Sequence, residues 1–208
     1  MSQLIVCKNE NGIILATDGK AIGFDMSGEP TDRDVEHLIQ LSPFTAILWA
    51  GALEGEKMCR SLKDFVSDEE LRHVDEIYGA ALPFLGTEYD RFMREECEVL
   101  PVDPIHQVSF VLAGFTGKDE KDPFRLYLIW TKKKLPQLDG DEISTAFTVP
   151  RSLRLEINLN KMCRENRSLE DILPTIQKSL EKLAGTQEEL GGQLYYATIT
   201  SQGFNKVA

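Results

Sequence analysis

A chain of 208 residues, 42% of them hydrophobic, can bury one sizeable core and is short for two, so a single domain spanning residues 1–208 is expected. Its formal net charge of -11 at pH 7 and sequence pI near 4.8 argue against nucleic acid as a partner, because no basic stripe is present to neutralise phosphates. No apolar run approaches the roughly 20 residues of a membrane span, and the start lacks the positive flank and long apolar region of a signal peptide.

Taken along the chain, Leu4-Ile5-Val6-Cys7 and Ile13-Ile14-Leu15-Ala16 are short apolar runs joined by a polar turn containing Asn11-Gly12, a hairpin signal. Residues 21–33, with Gly23, Gly28 and Pro30, read as a loop or broken strand. Residues 35–41 and 45–50 form a second hairpin around Ser42-Pro43 and lead into Gly51-Ala52. Met58, Cys59, Leu62, Phe65 and Val66 then recur at helical spacing. Leu71, Val74, Ile77, Tyr78, Leu82, Leu85, Tyr89 and Phe92 keep the same period to about Cys97. Gly79, Pro83 and Gly86 within this block predict a kink or break.

Residues 108–114 and 124–130 are the next strands, linked by a charged turn over 116–122. The basic run Lys132-Lys133-Lys134 reads as a solvated turn. Leu153, Leu155, Ile157 and Leu159 alternate at strand period, but length and pairing with the next element favour a helix over 153–165. A second helix runs over 169–183 behind the capping-box pattern Ser168-Leu169-Glu170-Asp171. Residues 194–200 and 204–207 close the chain as strands around Ser201-Gln202-Gly203. Segregated hairpins and helix pairs predict an α+β fold: a four-layer αββα sandwich of two antiparallel sheets between helix pairs.

The chemistry suggested by the sequence lies at the N-terminal end. A start Met before a small residue is normally trimmed, which would make Ser2 the N-terminus. Its hydroxyl and free α-amine would then form a nucleophile and base on one residue, with the amine titrating at about 7.7–8.0. Asp18, at the end of the return strand, supplies a carboxylate nearby. His37, His73 and His106 are far apart and show neither a Ser-His-Asp order nor metal spacing, which suits structural or surface positions. Asp68-Glu69-Glu70 and Glu95-Glu96 read as solvated helix ends, and Trp49 and Trp130 as core. The four cysteines, Cys7, Cys59, Cys97 and Cys163, are scattered and read as reduced core thiols in a cytoplasmic protein, with no metal or cofactor expected.

In order and spacing these segments resemble the proteasome β subunits and their bacterial relatives among the N-terminal nucleophile hydrolases. Ile13-Ile14-Leu15-Ala16-Thr17-Asp18 is similar to the family's second strand with its terminal acid, and counting back without a gap places Ser2 on the catalytic Thr. Residues 44–51 before a helix resemble the segment whose backbone amide, here that of Gly51, forms the oxyanion hole. The later hairpin (108–114, 126–130) and the closing strands (193–200, with Gly203) match as well. The chain starts at the nucleophile strand without a preceding helix, as β-type subunits do.

The resemblance implies a proteasome-type peptidase or amide hydrolase that acts on peptide or protein substrates and self-associates into an oligomer, with no membrane partner. Apolar helix positions such as Tyr89, Phe92 and Met93 offer a face for that association. Three departures stand against the pattern. Asp34 occupies the family's Lys position, Thr148-Val149-Pro150-Arg151-Ser152 replaces a Gly-Ser-Gly segment, and Gly191-Gly192-Gln193 lacks the usual acid. Lys20, on the same face as Asp18, is the nearest replacement cation. The alternative is a catalytically inactive scaffold or binding subunit that has lost the chemistry with the Lys.

Overall fold

The structure is a computed structural model and describes residues 2–24, 30–96, 106–118, 121–132 and 137–207. It opens with the hairpin β1 (Leu4–Asn9) and β2 (Gly12–Thr17), whose first register pair is Leu4 with Thr17. A short ribbon follows, β3 (Lys20–Phe24) on β4 (Pro30–Asp34), and then β5 (Leu38–Ser42) and β6 (Thr45–Gly51). Two helices come next, α1 (Glu54–Asp68) and α2 (Val74–Glu96). The strands β7 (Val108–Phe115), β8 (Phe124–Thr131), β9 (Leu138–Glu142) and β10 (Ala146–Val149) precede α3 (Leu153–Arg164) and α4 (Leu169–Ala184). The chain ends on β11 (Tyr195–Thr200) and β12 (Gly203–Val207).

The expected sandwich of two sheets between helix pairs is corrected by the sheet topology. The described strands form three antiparallel sheets, of five, two and five strands, ordered β10-β1-β2-β11-β12, β3-β4 and β5-β6-β7-β8-β9. Against twelve described strands stand only four described helices. The molecule is therefore strand-rich, and a four-layer αββα sandwich does not describe it. The third sheet arises because the stretch over residues 21–33, expected as a loop or broken strand, folds back on itself with pairs from Lys20–Asp34 to Phe24–Pro30. The β9 and β10 strands were also not foreseen. Leu138-Asp139-Gly140-Asp141-Glu142 carries almost no apolar pattern, and β10 is four residues long; each lies at a sheet edge, where few neighbours demand alternation.

Alternation along β1 and β2 decides which core each side chain joins. Leu4, Val6, Ile13 and Leu15, with Ile199 beside them in the same sheet, meet Leu48, Val111 and Leu126 from the facing sheet. Ile5, Cys7, Ile14 and Ala16 point the other way, onto Leu159 and Met162 of α3 and Ile172, Ile176 and Leu180 of α4. The α1 and α2 helices cover Ile47, Trp49, Phe110 and Leu112 with Met58, Leu62, Ile77 and Leu85.

Of the kink or break expected at Gly79, Pro83 and Gly86, the break does not occur: α2 runs through all three. Gly79, Pro83 and Thr87 lie on its exposed side, so the carbonyl that Pro83 leaves unpaired faces outward while Ile77, Ala81, Leu85 and Tyr89 stay packed. The Ser168 cap forms as expected, its hydroxyl accepting from the Asp171 amide at 3.2 Å. Tyr89, Phe92 and Met93, expected to remain uncovered, are buried. Among the described residues the exposed large apolar side chains are instead Leu153 and Ile157 on α3, at 66% and 69%. Cys97 and most of the lysine run lie outside the described residues. Among those described, no helix is long and apolar enough to cross a membrane.

Candidate functional site

The hairpin register builds the site. Because Leu4 pairs with Thr17, the next step outward sets Gln3 against Asp18, and the Gln3 backbone N–H donates to Asp18 Oδ1 at 2.8 Å. Asp18 Oδ2 accepts from the Gly191 N–H at 3.2 Å, while the Gly19 N–H donates to the Gly191 carbonyl at 3.0 Å. The carboxylate is therefore held by two backbone donors from opposite ends of the chain, and it is fully buried. The Gln3 side-chain amide donates to the carbonyls of Val149 and Pro150, both at 3.3 Å, which joins the start of β1 to the end of β10 and the residue after it. That segment is fixed in turn by Glu156, whose Oε1 accepts from the Thr148 N–H at 3.0 Å, the Thr148 hydroxyl at 2.8 Å and Arg151 Nε at 2.8 Å.

Ser2 sits at the mouth of β1 and is 3% exposed. Its Oγ lies 2.8 Å from Nε2 of His37, a contact the sequence analysis did not anticipate. The same Nε2 is 3.3 Å from the Lys20 carbonyl oxygen. The His37 ring is fully buried against the Trp49 indole, with centroids 4.3 Å apart, and Nδ1 makes no hydrogen bond. Its backbone is equally fixed: the Trp49 N–H donates to the His37 carbonyl at 3.1 Å, and Trp49 Nε1 donates to the Glu36 carbonyl at 3.0 Å. Burial holds the imidazole below its ordinary value. The Lys20 carbonyl, Asp18, the Trp49 carbonyl and Glu56 all pull the other way without overcoming it.

The remaining sequence-predicted residues fall as follows. Gly51 ends β6, two positions beyond Trp49, with φ +106°, and an added Cβ would run into the Gln107 carbonyl, so only glycine suits this turn. The Lys20 ammonium donates to the Glu188 carbonyl at 2.6 Å and pairs with Asp32 at 2.9 Å. Asp34, at the position expected to matter, lies opposite Lys20 in the ribbon register and is exposed. Ser2 and Asp18 thus stand on neighbouring strand ends, whereas the Lys20 side chain is engaged by β4 and by residue 188.

Among the described residues no group of three or more His, Cys, Asp or Glu could hold a metal ion. Cys7 and Cys163 contact each other from β1 and α3, a contact that pushes the Cys7 thiol up and the Cys163 thiol down. Two clefts of about 470 and 600 Å³ open elsewhere, one between the β5–β6 turn and the end of α1, the other between α3 and α4, and neither is lined by Ser2. No family model and no curated protein matches this chain.

Proposed function

We propose that the chain is an amide hydrolase of the peptidase type with Ser2 as its nucleophile, as the resemblance to N-terminal nucleophile hydrolases implies. The observation that supports the reading is the bond from the Gln3 N–H to Asp18 at 2.8 Å, which ties the peptide link following Ser2 to a buried carboxylate. In this reading Ser2 Oγ attacks the carbonyl carbon of a peptide bond and the hydroxyl proton passes to the departing amine. Water then hydrolyses the Ser2 ester. The Gly51 N–H is the candidate oxyanion donor, a role whose removal costs roughly 2.7–4 kcal/mol in known cases. The substrate is a peptide or protein, and the chain works in the cytoplasm as a self-associated oligomer.

A second reading, a non-catalytic scaffold or binding subunit, is favoured by one specific arrangement. The family's Lys position holds an exposed Asp34, and the Lys20 ammonium is taken by Asp32 and the Glu188 carbonyl. One experiment separates the two readings without a known substrate. The folded chain is treated with a β-lactone acylating probe and mapped by mass spectrometry. An adduct on Ser2 that Ser2→Ala removes is the expected result. Absence of any adduct, with intact mass establishing the state of Met1, leaves the scaffold.

A further inference from the structure

We infer that His37 takes the Ser2 hydroxyl proton, so that the site is a serine–histidine pair and its chemistry does not depend on a free α-amine at Ser2. This rests on the reading of Ser2 as nucleophile. Three observations carry it. The Oγ to Nε2 distance of 2.8 Å is that of a nucleophile and its base. The ring needs no reorientation, because Trp49 holds both its face and its backbone carbonyl. The charge surroundings suit a transient imidazolium: Asp18 and Glu56 carry negative charge near the ring, and the Lys20 carbonyl stands 3.3 Å from the nitrogen that would bear the proton.

The groups facing His37 are thus Ser2 and Asp18 from the β1–β2 end, the Lys20 carbonyl from β3, the Trp49 ring and carbonyl from β6, and Glu56 from α1. The transfer starts from the tautomer in which Nε2 accepts from the Ser2 hydroxyl and Nδ1 bears the ring hydrogen. As Oγ bonds to the carbonyl carbon, its O–H bond breaks and the proton moves to Nε2, leaving the oxygen of the former carbonyl as an oxyanion. When the C–N bond breaks, Nε2 gives the proton to the leaving amine. In the second half Nε2 takes a proton from the attacking water and returns it to Ser2 Oγ as the ester opens. The balance closes without any further reactant.

The test measures the rate of Ser2 acylation by the β-lactone against pH, in the processed chain and in one carrying a short N-terminal extension that blocks the α-amine. The expected result is equal labelling of both forms, with a rate that rises through a midpoint below about 6.5, since burial holds His37 beneath its ordinary value. His37→Gln should slow labelling by about 10²–10⁴-fold, with added imidazole partly restoring it in His37→Ala. If His37→Gln fails to fold, the pH midpoint and the extension comparison in the unsubstituted chain still decide. Labelling confined to the processed chain, with a midpoint near 7.7–8.0 and no effect of His37→Gln, overturns the inference while leaving Ser2 as nucleophile. No Ser2 adduct in any form overturns the underlying reading, and this inference with it.

Discussion

Asp18→Asn tests the site where its geometry is most constrained. The carboxylate accepts from two backbone donors, Gln3 N–H at 2.8 Å and Gly191 N–H at 3.2 Å. Asparagine keeps the shape but offers one acceptor oxygen and one NH2 group. It can satisfy either donor and must present N–H to the other, inside a position with no solvent exposure. A hydrogen bond to a charged group contributes about 1.5–3 kcal/mol, and an orphaned buried donor costs about 1–3. The expected loss is therefore about 2.5–6 kcal/mol. At this chain length each kcal/mol moves the melting temperature by about 2–4 °C, so thermal unfolding followed by circular dichroism should show a drop of about 5–24 °C. The substitution also removes a negative charge that favours protonated His37, which moves the midpoint of Ser2 labelling to lower pH. A variant that melts within about 2 °C of its parent, with an unmoved midpoint, would show that Asp18 neither anchors the hairpin mouth nor acts on His37.

Gly51→Ala combines positive φ with a backbone collision at Gln107, and should lower stability by at least about 1–2 kcal/mol in urea unfolding and slow Ser2 labelling in the same preparation. Lys20→Ala removes a partly exposed ion pair with Asp32, so stability in urea unfolding should fall by less than about 1 kcal/mol; a larger loss would show that the Lys20 contacts anchor the β3–β4 ribbon. Burial pushes the Glu156 carboxyl up, but Arg151 and the two Thr148 donors outweigh it and hold the group below its ordinary range. Its stabilisation is thus present above the unfolded value of about 4.3 and lost as pH falls through the lower folded value, so Glu156→Gln should flatten the acid limb of a stability–pH curve. Burial likewise pushes the Cys59 thiol up, and alkylation mapped by mass spectrometry should find it unreactive at neutral pH until the chain unfolds.

The parts of this fold legible in the sequence are those where one apolar period dominates. The opening hairpin and the β5–β6 and β7–β8 pairs show as apolar runs, α1, α2 and α4 carry a helical period, α3 follows from length and pairing against a strand-like alternation, and the Ser168 cap adds a local marker. What escaped was held together by backbone pairing rather than apolar content: the β3–β4 ribbon, the acidic β9 edge and the short β10 strand. The same limit applied to the site. Ser2 and Asp18 were legible because they share a hairpin, whose register follows from its turn. His37 lies 35 residues from Ser2, on a segment brought to the hairpin mouth by the β5–β6 pair, and no spacing rule links the two. A lone His before an apolar strand carried no signal beyond its type.

A purely structural role accounts poorly for His37. A buried imidazole that merely filled space against Trp49 would be replaced without penalty by an apolar side chain, because a buried polar nitrogen without a partner costs about 1–3 kcal/mol. His73 Nδ1 and both ring nitrogens of His106 are also buried without partners, so burial does not set His37 apart. What separates His37 is the other nitrogen. His73 stacks on Phe44 and His106 meets Phe92 edge-on, with no hydroxyl of a candidate nucleophile against either, whereas His37 Nε2 has Ser2 Oγ at 2.8 Å and a carbonyl at 3.3 Å. One nitrogen thus has both a proton source and an acceptor for the proton once taken. Holding Nδ1 in a dry pocket keeps the ring neutral until that transfer occurs. Substitution to Phe distinguishes the cases: a space-filling His37 tolerates His37→Phe with unchanged or raised stability and unchanged labelling of Ser2. A base tolerates the packing but loses the labelling, by about the same 10²–10⁴-fold expected of His37→Gln.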